Sequence, residues 1–212
     1  MKLNTLQLRR ASSALLLGLL MGVAMPKTNA QTAHVGDILC EGDLIVSPAN
    51  YNASSHNAIG VVFYVDNTGQ HGWAIALQDA GSYAWGCYGS DMPIPNYTNK
   101  RQAIHDLDGY ENTRIVRENC TDSPAFHAVD FDNGWYVPAI GQLNYLYGNL
   151  VEVNASLQVA GGATFEGGWR YWSSTEYSGS YAWTLSSSGE LDNYSSNCYK
   201  IYSWRVRGVR AF

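Results

Sequence analysis

The spacing of apolar residues in the middle of the chain predicts a hairpin followed by a loop. Residues 59–66, IGVVFYVD, form an apolar and partly β-branched run, and WAIALQD at 73–79 forms a second one. The turn-forming sequence NTGQHG lies between them, an arrangement typical of a hairpin whose strands are largely buried. Residues 81–100 are rich in Gly, Pro, Tyr and Asn, which predicts a loop.

Helical spacing appears in three segments after this loop. The first is ENTRIVREN within residues 100–119, where Ile115 and Val116 are expected to face inward. Pro138 opens the second, PAIGQLNYLYGNL. Its apolar residues recur at helical spacing, namely Ile140, Leu143, Leu146 and Tyr147. The third, VNASLQVAGG, is a shorter helix that we expect to end at its Gly-Gly pair.

From Trp169 onward, short runs separated by turn residues predict strands. These runs are YAWTLS, a turn at Ser188-Gly189, and the terminal VRGVRAF, in which valines alternate with arginines and leave one face apolar. We expect this terminal run to pair with the strand at 59–65, so that the N- and C-terminal strands are paired. The complete pattern predicts a single α+β domain with short antiparallel strands and two main helices.

The first thirty residues have the organisation of a secretory signal peptide. Basic residues come first, an apolar run at 14–24 follows, and small residues at 28–30 provide a cleavage site after Ala30. The apolar run is too short to span a membrane. The predicted mature domain is therefore residues 31–212, secreted or displayed on the cell surface.

The charge of the mature part restricts its partners. Without the four basic residues of the first thirty, 9 basic and 18 acidic residues remain, a formal charge of −9. An acidic exported chain with no second apolar span is expected neither to bind nucleic acid nor to insert into a membrane. A protein or glycan outside the cell is the expected ligand.

Four cysteines, Cys40, Cys87, Cys120 and Cys198, lie in the predicted mature part. In an oxidising compartment they allow two disulfides with three possible pairings, or they are buried thiols. Zinc ligands come in close pairs, which these spacings lack, so we expect no metal site and no cofactor.

The segment from 171 to 204 has an unusual composition. It contains six Tyr, ten Ser and two Asn, with few charges and almost no branched aliphatic residues. Such low complexity often indicates disorder. However, Trp172, Trp183 and Trp204 divide the segment at intervals, and a compact VRGVRAF follows it, which favours an ordered segment.

Four fragments in a fixed order resemble one known family. They are GWYVPAIGQLNYLY at 134–147, YWSSTE at 171–176, AW at 182–183 and VRGVRAF at 206–212. Together they resemble the bacterial C-type-lectin-like domain, strongly over the last 80 residues and more loosely back to residue 36. Gln142 stands where that family usually has Glu.

This resemblance implies how the segment is used. In that fold Trp135, Trp172 and Trp183 are core residues. Ser173, Ser174 and Thr175 then bond nearby backbone in a buried turn, and Glu176 pairs with Arg205 or Arg207. Residues 177 to 203 run across one exposed face as a binding surface, since Tyr, Ser and Asn are the residues that binding loops prefer.

A subset of the family consists of the variable proteins of diversity-generating retroelements, whose C-terminal segments are rewritten at adenines. The similar residue types here define the expected ligand-binding positions, with a fixed polar loop as the alternative. They are Tyr177, Ser178, Ser180, Tyr181, Asp192, Asn193, Tyr194, Ser196, Asn197, Tyr199 and Tyr202.

Other functions fit the sequence less well. Formylglycine-generating oxidases share the broad fold, but they need a close cysteine pair, and Cys198 is the one cysteine of the last 90 residues. No hydrolase motif surrounds the histidines, so we expect no enzyme. Calcium-dependent sugar binding lacks its acidic triplets, and DLDGYE at 106–111 is expected to be a turn before a helix. A structural or tip subunit of a surface fibre remains an alternative.

Overall fold

The structure is a computed structural model that describes residues 32–192 and 198–212. Ten strands in this part form two five-stranded sheets. In chain order the strands are β1 (Ile38–Cys40), β2 (Leu44–Val46), β3 (Ala58–Val65), β4 (Gly72–Ala76), β5 (Gly81–Ala84), β6 (Arg170–Ser178), β7 (Tyr181–Ser186), β8 (Leu191–Asp192), β9 (Ser203–Val206) and β10 (Val209–Ala211). Sheet A has the order β10-β4-β3-β1-β2, and sheet B has the order β5-β9-β6-β7-β8.

The predicted hairpin is confirmed as β3 and β4, which pair antiparallel with Val62 opposite Ala74. Its turn is fixed by Asp66, whose carboxylate accepts hydrogen bonds from the backbone and hydroxyl of Thr68. Residues 60–63 are all buried, because both faces of this part of sheet A are covered. The continuous apolar run, rather than strict alternation, reflects this burial.

Five helices lie between and beside the sheets in the described part of the chain. They are α1 (Lys100–Ala103), α2 (Gly109–Asn119), α3 (Pro124–His127), α4 (Ile140–Gly148) and α5 (Leu150–Val159). Two 3₁₀ turns cover Glu41–Asp43 and Phe131–Asn133. The three predicted helices are confirmed as α2, α4 and α5, although α5 begins at Leu150, before the predicted segment. It ends just before Gly161, whose φ of +73° favours glycine.

The expected pairing of the terminal strand is wrong. The run VRGVRAF divides at Gly208: Val206 ends β9 in sheet B, whereas Val209 begins β10 in sheet A. β10 pairs with β4, with Val209 opposite Ile75. It does not pair with β3, because β4 and β1 already occupy both edges of β3. The N-terminal strand β1 and the C-terminal strand β10 therefore share a sheet without being partners.

Two further expectations are corrected in sheet B. The predicted loop at 81–100 begins with a strand, β5, which pairs along β9 with Tyr83 opposite Trp204. Ser173, Ser174 and Thr175 lie in strand β6 and not in a turn. Their hydroxyls still have buried partners, as expected of polar groups in a core: for example, Ser173 donates to the carbonyl of Trp183 at 2.8 Å.

Trp172 and Trp183 are core residues, each about 1% exposed, as predicted. Trp135 is only half-buried and packs at the edge of the core that contains Trp172. Strand β6 is tied to α4 through Thr175, whose hydroxyl accepts a bond from the Ile140 backbone at 2.9 Å. Across the described ranges, no helix is both long and apolar enough to cross a membrane.

Candidate recognition surface

The predicted ligand-binding residues fall into three groups. Tyr177, Ser178, Ser180 and Tyr181 form the tight end of the β6–β7 hairpin. Asp192 ends β8, and Tyr199 and Tyr202 lie in the segment leading to β9. The remaining predicted positions lie outside the described residues and are Asn193, Tyr194, Ser196 and Asn197.

Tyrosines from these groups meet in one place. Tyr181 and Tyr199 have ring centroids 4.4 Å apart. Tyr177 lies 6.2 Å from Tyr181, and Tyr202 lies 6.1 Å from Tyr199. Tyr88 completes the set at 6.0 Å from Tyr199. We call these five residues the tyrosine cluster.

The tyrosine cluster is accessible at two positions and supported at the others. Tyr88 is 49% exposed and Tyr202 is 43% exposed. Tyr177, Tyr181 and Tyr199 are half-buried, and the Tyr177 ring reaches the core tryptophan Trp183 at 6.4 Å. The surface is therefore a continuation of the aromatic core, not a detached loop.

Tyr88 was not among the predicted site residues, because it comes from the distant loop after β5. A disulfide between Cys87 and Cys120 joins this loop to the end of α2. The loop also contacts the hairpin, where the backbone of Gly89 donates to the carbonyl of Gly179 at 2.8 Å. A Cβ at position 179 would lie about 3.0 Å from the backbone of Ser90, so a larger residue would fit only if this loop moved by a few tenths of an ångström.

A buried ion pair lies beside the tyrosine cluster. Lys200 and Glu176 are fully buried, and the Lys200 Nζ donates to the Glu176 carboxylate. This corrects the expected pairing of Glu176 with Arg205 or Arg207. Both arginines lie near Asp79 instead, at 3.5 and 3.7 Å.

The ion pair holds three segments together. Glu176, two residues before the end of β6, also accepts a hydrogen bond from the backbone N–H of Met92 at 3.0 Å. Lys200 donates to the carbonyl of Ser90 at 3.2 Å and lies over the ring of Trp85 at 4.2 Å. Because both side chains are shielded from water, burial raises the pKa of Glu176 and lowers the pKa of Lys200. The charge of Lys200 lowers the pKa of Glu176, and the charge of Glu176 raises the pKa of Lys200, which opposes the effect of burial.

Part of the described Tyr-Ser segment is buried framework. Strand β7 is buried from Ala182 to Ser186, so the expectation that 177 to 203 runs across one exposed face is wrong for this strand. Asp192 is half-buried and pairs with Arg170 at 3.3 Å, away from the tyrosine cluster. In its described ranges the segment alternates between surface and core, because β6, β7, β8 and β9 all belong to sheet B.

The segment DLDGYE is a turn only in its first half: residues 106–108 precede the helix as expected, whereas residues 109–111 form the first turn of α2. Asp106 is buried, and its carboxylate accepts from the hydroxyl of Thr175 at 2.6 Å, from Asn112 at 3.0 Å and from the backbone of Asp108 at 3.1 Å. Burial nevertheless raises the pKa of Asp106. In the ranges that the structure describes, no group of three or more His, Cys, Asp or Glu side chains could hold a metal ion.

The four cysteines form one disulfide and two buried thiols. Cys87 and Cys120 are bonded, whereas Cys40 and Cys198 are thiols in the interior. Burial raises the pKa of the Cys40 thiol. The Cys198 sulfur lies 3.6 Å from the hydroxyl of Thr184. The sequence allowed either two disulfides or buried thiols, and the structure has one disulfide together with two buried thiols.

Neither a protein-family model nor a curated protein matches this chain. The fold is similar to that of a fimbrial protein from Bacteroides ovatus ATCC 8483, whose crystal structure was solved at 1.85 Å resolution. The TM-score is 0.67 at 20% sequence identity, and the similarity covers 84% of this chain and 49% of that one. This chain thus spans about half the length of that fimbrial protein, with which it shares a mixed α+β fold.

Proposed function

We propose that this protein is a non-enzymatic ligand-binding domain displayed outside the cell, with the tyrosine cluster as its recognition surface. The observation that carries the proposal is that five tyrosines from three segments meet at one place beside a buried ion pair. Tyrosine offers a large amphipathic contact area with few rotatable bonds, so little entropy is lost when it binds. Supported rings also reduce the cost of ordering a binding site.

The arrangement agrees with the C-type-lectin-like fold that the sequence resembles, and we propose that fold for this domain. We also propose that the surface is diversified by a retroelement. The described candidate positions are half-buried or exposed, whereas the neighbouring motif residues from Trp172 to Glu176 are buried. A near-copy of the coding sequence for 170–212 beside a reverse transcriptase gene, differing at adenines, would support this; an unrelated neighbourhood would contradict it.

The ligand we propose is a protein or glycan bound without calcium. The test is to apply the purified protein to an array of glycans and an array of extracellular proteins, with and without a chelator. The variants Tyr88→Ala and Tyr202→Ala should lose the captured target, while the control Tyr145→Ala, with a tyrosine of similar exposure at 42%, should retain it. Binding that needs calcium, or that survives both cluster variants, would refute the proposal.

A second candidate is a structural or tip subunit of a surface fibre. It is favoured by the similarity to the fimbrial protein over 84% of this chain. Export through the predicted cleavage after Ala30 is part of both proposals. Immunogold labelling of whole cells distinguishes them, since a subunit should label along fibres at regular intervals, whereas a separately displayed receptor should label the cell surface alone.

A further inference from the structure

A cleft lies on another part of the domain and shares no residue with the tyrosine cluster. It has a volume of about 780 Å³ and is lined by residues of β4, the start of α2, the 3₁₀ turn Phe131–Asn133 and β10. Volumes of roughly 300–1,000 Å³ are common for ligand sites. The side chains that matter chemically are Trp73, Asp108, Tyr110, Glu111, Asp132 and Arg210.

The cleft has more negative than positive charge. Glu111 is already paired with Arg114 at 2.5 Å, and the one lining arginine, Arg210, donates to Asp43 at 2.7 Å. Within residues 32–192 and 198–212, the carboxylates of Asp108 and Asp132 have no hydrogen-bond or ion-pair partner. The N-terminus of α2 offsets part of the charge of Asp108, whereas Asp132 lies in the short 3₁₀ turn Phe131–Asn133.

Two aromatic rings that line the same cleft as these carboxylates are packed against other rings. Tyr110 is 49% exposed, yet its ring stacks on Phe131 at 4.9 Å and meets the edge of Tyr136 at 5.8 Å. Trp73 stacks on Tyr64 at 4.4 Å. Rings supported in this way can receive a cation over a free face without first being ordered.

We infer that this cleft binds an arginine side chain of a partner protein. A guanidinium is planar, so it can stack on Tyr110 or Trp73 and pair with a carboxylate through two N–H donors at the same time. An ammonium group lacks this flat surface, and a neutral ligand can accept or donate hydrogen bonds here but gains no ionic attraction from the two carboxylates. The site is a second contact point, independent of the recognition surface proposed above.

The test uses Nα-acetyl-L-arginine amide as the probe and the citrulline analogue as a neutral ligand of nearly the same shape. Each is titrated into the isotopically labelled protein while backbone amide resonances are recorded. The arginine probe should shift Gly134 and Ala211 in the cleft, and citrulline should shift them far less. Raising the salt concentration should weaken the arginine effect, since the carboxylates are accessible to ions.

The double variant Asp108→Asn and Asp132→Asn should weaken arginine binding about fivefold or more. Glu190→Gln, which removes an exposed carboxylate outside the cleft, should change nothing. If the double variant does not fold, Tyr110→Leu provides a second test and should also weaken binding. Tyr202→Ala should leave the titration unchanged, so failure of the recognition proposal would not affect this result.

Equal shifts from arginine and citrulline would overturn the inference, as would the absence of shifts in the cleft. Methyl glycosides provide a further comparison, because aromatic rings beside polar side chains can also stack on sugars. If a glycoside shifts the cleft residues and arginine does not, the cleft is a saccharide site and the inference is wrong. Spermidine binding more tightly than an arginine-containing peptide would also contradict a protein partner.

Discussion

Replacing Lys200 by methionine should destabilise the domain severely. Methionine preserves the length of the apolar side chain and its contact with Trp85. However, the buried Glu176 carboxylate loses its cationic partner, and among the described residues it keeps only the hydrogen bond from the Met92 backbone. Removing one partner of a buried ion pair costs about 3–5 kcal/mol, because the other charge is left uncompensated. Glu176→Gln should have a similar cost, since it leaves a buried ammonium.

The double variant Lys200→Met and Glu176→Gln should be much less affected. No charge remains, and the amide oxygen of the introduced glutamine can still accept from the Met92 backbone, so the expected loss is about 1–3 kcal/mol for imperfect polar pairing. The sum of the two single losses should then exceed the double loss by at least about 3 kcal/mol, which is at or above the upper end for residues in contact.

Urea unfolding at pH 7 measures these differences, provided that the transition is two-state. Arg114→Met is the matched control, because Arg114 also bonds two glutamates but is 39% exposed. Exposed ion pairs contribute about 0–1 kcal/mol, so this control should change little. Single variants that lose less than about 1 kcal/mol, or losses that simply add, would refute the claim that the pair holds the three segments together.

Four further predictions concern the core, the titration of buried groups and export. Trp172→Ala should cost about 3–5 kcal/mol in urea unfolding, and an unchanged midpoint would mean that the core is misassigned. Burial raises the pKa of Tyr136 and Tyr171 to about 12 each. The stability that the two neutral phenols contribute should be fully present below about pH 10, the ordinary pKa of tyrosine, and should decline as the pH rises toward 12. Ultraviolet absorbance should show both tyrosines ionising near pH 12. Asp106→Asn should cost about 1–3 kcal/mol, since its amide would face at least one of the present donors; wild-type stability would contradict this. N-terminal sequencing of exported protein should begin just after Ala30, and a start before residue 25 would exclude the predicted cleavage.

Local pattern predicted the elements whose structure depends mainly on neighbouring residues. The β3–β4 hairpin follows from two apolar runs and a turn, and α2, α4 and α5 follow from apolar residues on one helical face. Strand β5 was missed because its short GSYA sequence lies in a Gly-rich region and is a strand only through its pairing with β9. Its conformation depends on residues that are distant in the sequence.

The candidate site also depends on residues that are distant in the sequence, so the sequence predicted it only in part. Tyr177, Tyr181, Tyr199 and Tyr202 were identified by composition, but Tyr88 joins them only through the folded loop after β5. Glu176 was expected to pair with Arg205 or Arg207, but its partner is Lys200, which the sequence does not mark as a buried residue. Composition also could not separate the buried residues of β7 from the exposed ones around them, since serine occurs in both.

The double variant Tyr88→Ala and Tyr202→Ala tests most directly whether the tyrosine cluster is a recognition surface on a stable framework. Affinity for the captured target and the free energy of unfolding are measured on the same samples, with Tyr145→Ala as the control. The account predicts a loss of about 2 kcal/mol or more in binding, roughly thirtyfold in Kd. Stability should change by only about 0.5 kcal/mol per exposed substitution. Unchanged affinity in a folded variant, or unfolding of the variant, would contradict the account.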